Sequence, residues 1–77
     1  MSDRHIVVLA GWNVGLRTID LIKLVRGCTP LSLAEAKSAV ERLVDGEQMA
    51  LTFRTTEEAQ RFVEDAVEAG AIAHFGS

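Results

Sequence analysis

A helix that is apolar on two opposite sides sets the strongest limit on how this chain folds, because 77 residues have room for a core on only one of them. The helix is predicted from Leu16 to near Gly27, in LRTIDLIKLVRG. At 3.6 residues per turn Leu21, Leu24 and Val25 share one side, and Ile19, Ile22, Lys23 and Arg26 fall on the other. A domain of this length buries about 60% of the surface of its unfolded chain, which suffices for one simple core. The leucine and valine side is expected to face that core. Two isoleucines framed by two cations are then left for a docking surface.

The rest of the chain supplies the partners of that helix. Residues 5–10, HIVVLA, form a β-branched run too short for a helix and are predicted as a buried strand closed by Gly11, with GWNVG as a loop. Beyond Gly27, Thr29-Pro30 breaks the helix, since proline disfavours helical geometry in the residue before it. Ser32 with Glu35 is a capping box that opens a second helix carrying Leu33, Ala36, Val40 and Leu43, and Asp45-Gly46 ends it. Residues 48–54, QMALTFR, alternate Met49, Leu51 and Phe53 inward with Ala50, Thr52 and Arg54 outward, the pattern of a half-exposed strand. Thr55 with Glu58 is a second capping box, opening a third helix with Ala59, Phe62, Val63, Ala66 and Val67 on its apolar side, and after Gly70 the run AIAHF makes a last strand.

Helices and strands in this order predict one α+β domain over residues 1–77. Its two layers are a βααβαβ unit with three helices packed on one face of a three-stranded sheet. Val8, Leu21, Val25, Leu33, Val40, Leu51, Phe62 and Ala66 are expected in the core.

Charge is uneven along the chain. Residues 1–42 carry a net +2 and residues 43–77 a net −5, so the molecule is electrically polarised and can orient a partner at a distance. No apolar run approaches the roughly 18 residues needed to span a membrane, and the N-terminal apolar segment is too short for a signal peptide. The single cysteine, Cys28, has no internal partner, as expected of a cytoplasmic protein.

The sequence IDLIKLVRGCTPLSLAEAK resembles the C-terminal domain of the bacterial large-subunit ribosomal stalk protein, the L-seven/L-twelve family, whose signature runs roughly V-x-x-I-K-x-V-R-x-x-T-G-L-G-L-K-E-A-K. Ile22-Lys23, Val25-Arg26, Thr29, Leu31, Leu33 and Glu35-Ala36-Lys37 stand at matching places, Ile19 takes the first valine, and EAGAIAHF extends the likeness to the end of the chain. The resemblance implies a non-catalytic adaptor of translation that recruits translational GTPases through its first two helices. Carried over, that patch is Ile19, Ile22, Lys23, Arg26 and Lys37. Thr18, Ala34 and Ser32 replace two lysines and a glycine of the family pattern, which makes the surface less basic. With no dimerisation segment or hinge ahead of the first strand, a monomer or weak dimer is expected.

Other chemistries fit less well. GWNVG lacks the Lys-Ser/Thr of a nucleotide P-loop, and His5 and His74 have no further ligand at metal spacing. Cys28, expected as a small buried residue at a helix end, has no base nearby in sequence. No enzyme activity, cofactor or metal is therefore expected. Nucleic-acid binding through Arg17, Lys23, Arg26 and Lys37 is the alternative, opposed by the acidic total and by isoleucines where stacking aromatics would stand. A substrate-binding domain like the Clp protease adaptor for N-degrons shares the general fold, but GWNVGLR occupies the place of that adaptor's acidic loop.

Overall fold

The computed structural model describes residues 5–76; residues 1–4 and 77, the ends of the expected domain, lie outside them. Its elements are β1 (Ile6–Trp12), α1 (Thr18–Cys28), α2 (Leu33–Val44), β2 (Met49–Thr52), α3 (Thr56–Glu68) and β3 (Ala71–Phe75), in the expected order. The strands form one antiparallel sheet in the order β2-β1-β3, with Val7 opposite Leu51 and Phe75. Together the three helices and the sheet make the two-layer α+β fold.

Strand parity decides which residues reach the core. Successive side chains of a strand point to opposite faces, and the helices cover only one of them. Val7 and Leu9 are the residues of β1 that face the helices and are fully buried, whereas Val8, expected in the core, joins Ile6 and Ala10 on the open face and is half-buried. Leu51 does face inward, but it is only half-buried because β2 is an edge strand. Around these strands Leu21, Val25, Ala36, Val40, Leu43, Ala59, Phe62 and Ala66 close a single apolar cluster. The rings of Phe53 and Phe62 meet within it, their centroids 5.0 Å apart.

Leu33 is also corrected, being 53% exposed. It lies roughly 50° round α2 from the mean direction of Ala36, Val40 and Leu43, toward the edge shared with α1. Val67 likewise departs from the expected apolar side of α3, at 52% exposure.

Both ends of α1 and the end of β1 differ from expectation, the helix starting at Thr18 rather than at Leu16. α1 continues past Gly27 to Cys28 and stops where the Thr29 hydroxyl donates to the Val25 carbonyl at 2.6 Å, just ahead of Pro30. β1 runs through Gly11 to Trp12, because a register shift between Leu9 and Gly11 lets pairing with Ile72 and Ala71 resume. At α2 the Ser32–Glu35 box is complete: Glu35 N–H donates to the serine hydroxyl and Ser32 N–H to the glutamate carboxylate. At α3 the Thr55 hydroxyl caps Glu58 N–H, while the Glu58 carboxylate accepts from Arg54 N–H rather than from Thr55.

The start of α1 is pinned by the turn between α3 and β3. Asn13 N–H donates to the Gly70 carbonyl and Arg17 N–H to the Ala69 carbonyl, each at 2.8 Å, and the Arg17 guanidinium reaches the Glu68 carbonyl at 2.8 Å. Gly70 permits this crossing: its φ is +103°, and a Cβ there would stand 2.9 Å from the Leu16 Cα. The β1–α1 connection is thus held against the α3–β3 turn, which fixes where α1 begins.

Candidate functional site

The connection between α1 and α2, residues 29–32, is short enough to fold the second helix back along the first. Along the edge of α1 nearest α2, Thr18, Ile22 and Arg26 follow one another at one-turn intervals; along the facing edge of α2 the sequence is Leu33, Lys37 and Glu41. Thr18 and Glu41 line one shallow cleft with Val44 and Asp45, which sets the register of the pair. Counting turns from there in opposite directions places Ile22 beside Lys37 and Arg26 beside Leu33. Ile19 and Lys23 sit on the outer flank of α1.

The five residues expected to form the patch do lie on these two helices, with one difference in depth. Ile19 is 68% exposed and Lys23, Arg26 and Lys37 are exposed, but Ile22 is half-buried and packs against the core cluster. Ile22 is next to the α1–α2 contact on the helical wheel, so its side chain forms the floor of the groove and Ile19 its raised rim. Leu24 lies on the other flank, beside Arg17, Asp20, Asp65 and Glu68.

Thr18 belongs to this surface, and so do Leu33, Glu41 and Val44, although sequence reasoning did not place those three there. Their signal was present in the one-turn spacing from Lys37 and Ile22, yet Leu33 read as core because apolar periodicity alone does not say which neighbour a helix side meets. At the Val44 end the groove is closed by Trp12, whose indole N–H donates to the Val44 carbonyl at 3.1 Å. Val14, in the turn that follows, is fully exposed.

Other candidates for chemistry are not assembled. His5 immediately precedes β1, its carbonyl accepting from Phe53 N–H, whereas His74 on β3 stands opposite Val8, three positions further along the strand. Among the described residues no cluster of three or more His, Cys, Asp or Glu side chains could hold a metal ion. Cys28 is exposed rather than buried and lines a cleft of about 510 Å³ with Pro30, Phe53 and Glu58. Partial burial, then the nearby Asp65 and Glu58 carboxylates, push its thiol pKa up against the opposing pull of Arg61. A thiol so placed is a weak nucleophile at neutral pH. The GWNVG turn spends its Asn13 N–H on the Gly70 carbonyl, and its Asn13 carbonyl accepts from Leu16 N–H. No described helix is long and apolar enough to cross a membrane.

Residues 6–75, from the first residue of β1 to the last of β3, match the family model described as the ribosomal protein L7/L12 C-terminal domain. Comparison with curated proteins and with solved structures gave no match.

Proposed function

We propose that this chain, which belongs to the ribosomal protein L7/L12 C-terminal domain family, docks a translational GTPase or another protein of the translation machinery through the α1–α2 groove. The family is one of non-enzymatic interaction domains that bind translational GTPases, and its membership supports a ribosome-associated, cytoplasmic role. In this chain the contact residues would be Ile19, Ile22, Lys23, Arg26 and Lys37.

The observation that carries the proposal is Ile19. An isoleucine 68% exposed on a helix whose opposite side already fills the core adds nothing to that core. Placed against a partner it would contribute about 1.5 to 3 kcal/mol, depending on how completely it is buried. The three cations around it suit an acidic partner, because rim charges accelerate encounter and select orientation more than they add affinity.

The test is calorimetric titration of the purified domain with purified translational GTPases in their GTP-bound forms. Ile19→Asp should weaken binding by about 2 kcal/mol or more, and Lys23→Ala should mainly slow association and flatten its salt dependence. A salt slope that dominates, with tight binding to RNA and none to a GTPase, would replace the proposal with the nucleic-acid alternative.

A further inference from the structure

The two edges of the sheet are guarded differently. β2 is short and stands between Glu47 and Arg54, whereas β3 contains no lysine, arginine, carboxylate or proline, the residues that usually keep a free edge from pairing. Gly76 N–H donates to the Ile6 carbonyl at 2.8 Å, and main-chain groups alternate in direction along a strand. His74 therefore turns its own groups toward β1, while Ala71 and Ala73 turn theirs to the open edge. Beside that edge runs α3. Its Asp65 and Glu68 share a cleft with Leu24 of α1, so the opposite flank, where Thr56, Gln60, Val63 and Val67 follow at one-turn intervals, faces away from α1 and opens toward the free edge of β3, the strand on which α3 packs. All four are uncharged. Val63 is half-buried against the core and Val67 is 52% exposed; on the other face of the sheet Ile72 is 44% exposed. The next row outward on α3 is acidic, with Glu57 and Glu64 exposed and the Glu64 carboxylate accepting from the Gln60 amide at 3.3 Å.

From these features we infer a second protein-binding site at the free edge of β3, which takes an extended segment of a partner protein carrying alternate apolar side chains and a lysine or arginine. The segment adds a fourth strand to the sheet. Its backbone pairs with the outward N–H and C=O groups of Ala71 and Ala73, the side chains of one of its faces cover Val63 and Val67, and those of the other lie beside Ile72. Its cation stands over Glu57 and Glu64, which favours a basic segment over an acidic one. An extended chain fits because it alone has main-chain groups to spare, a helix having spent its own internally. A second copy fits poorly: joining two β3 edges would bring the α3 helices, each packed over its own β3, close to one strand spacing of about 5 Å, where packed helices need about 8 to 10 Å. The site lies on the side of α3 turned away from α1, so it stands or falls independently of docking on the α1–α2 groove.

Synthetic peptides of about nine residues test this, alternating valine and threonine with a lysine at each end in register with the valines. Binding is followed by amide NMR of the domain. The signals of Ala71 and Ala73 should shift and their amide hydrogens exchange more slowly, while those of α1 and α2 stay in place. Backbone N-methylation of the valines removes the N–H donors of one edge of the peptide strand, and N-methylation of the threonines those of the other. One of these two peptides should bind about tenfold more weakly and the other unchanged, because only one edge faces β3. Glutamates in place of the lysines should also weaken binding, and so should Val67→Lys, an exposed substitution that leaves the melting temperature within a few degrees. The inference is overturned if both methylated peptides bind alike, if the glutamate peptide binds as tightly as the lysine one, or if Val67→Lys binds unchanged. Shifts at Ile22 and Lys37 in place of β3, or no binding at millimolar concentration, overturn it as well.

Discussion

Trp12 and Val44, thirty-two positions apart in the chain, are joined by a hydrogen bond of 3.1 Å from the indole Nε1 to the backbone carbonyl oxygen. Val44 is the last residue of α2, and the final carbonyls of a helix have no partner within it. The indole therefore satisfies a helix end and ties it to the end of the central strand. This bond makes the groove's far end part of the rigid fold. Trp12→Phe should keep the ring and lose the bond, costing about 0.5 to 1.5 kcal/mol, measured by urea unfolding followed by circular dichroism.

The centre of the core predicts a larger effect. Phe62 is fully buried and its ring meets Phe53. Truncation to alanine should cost about 3 to 5 kcal/mol, a large share of what a domain this small possesses. The measurable outcome is a melting transition lowered by tens of degrees or lost altogether. A Phe62→Ala protein that melts like the unaltered one would remove Phe62 from the centre of the core.

Two glycines with nearly equal backbone angles should respond differently to alanine. Gly46 has φ +100° and open space around it, so Gly46→Ala carries only the conformational penalty of about 1 to 2 kcal/mol. Gly70 has φ +103°, and its added methyl would also strike the Leu16 backbone. Gly70→Ala should therefore be clearly the more destabilising, by thermal unfolding of the two variants side by side.

Acid should weaken the start of α2. Hydrogen bonds from the Ser32 backbone N–H and then with its side chain hold the Glu35 carboxyl below its ordinary pKa, outweighing a small opposing effect of desolvation. A folded-state pKa below the unfolded one gives a stabilisation that is complete above the unfolded value and is lost as pH falls through the folded one. Between neutral pH and pH 3 the melting temperature of Glu35→Gln should consequently fall less steeply than that of the unaltered protein. Parallel curves would show that the carboxylate of the capping box contributes no linked stability.

Depth within the groove separates two isoleucines. Ile19→Asp should leave the melting temperature within a few degrees of the original, because the side chain stands in solvent. Ile22→Asp should lower it markedly, since Ile22 packs against the core cluster and the substitution replaces those apolar contacts with a charged group. Ile19→Asp is accordingly the variant that reports on docking without confounding it with folding.

Local chemistry determined the order of the elements. Ser32 with Glu35, Thr55 at the head of α3, Pro30 after α1 and the glycines at 46 and 70 act within a few residues of themselves, so helix starts, helix ends and turns are readable along the chain. The apolar stripes of α1 and α3 named most of the core for the same reason, and the excess isoleucine side of α1 pointed to the groove. What the sequence left open was which neighbour each apolar side meets. HIVVLA is apolar at every position from Ile6 to Ala10, so nothing in it says that Val7 and Leu9 face the helices while Val8 faces away; that follows from a sheet covered on one side only. Leu33 and Glu41 joined the groove, and Ile22 became its floor, only when α2 folded back along α1. Trp12 reached Val44 only because β1 runs on past its bulge. These are contacts between residues far apart in the chain, and their geometry is set by how the layers pack rather than by any residue's own propensity.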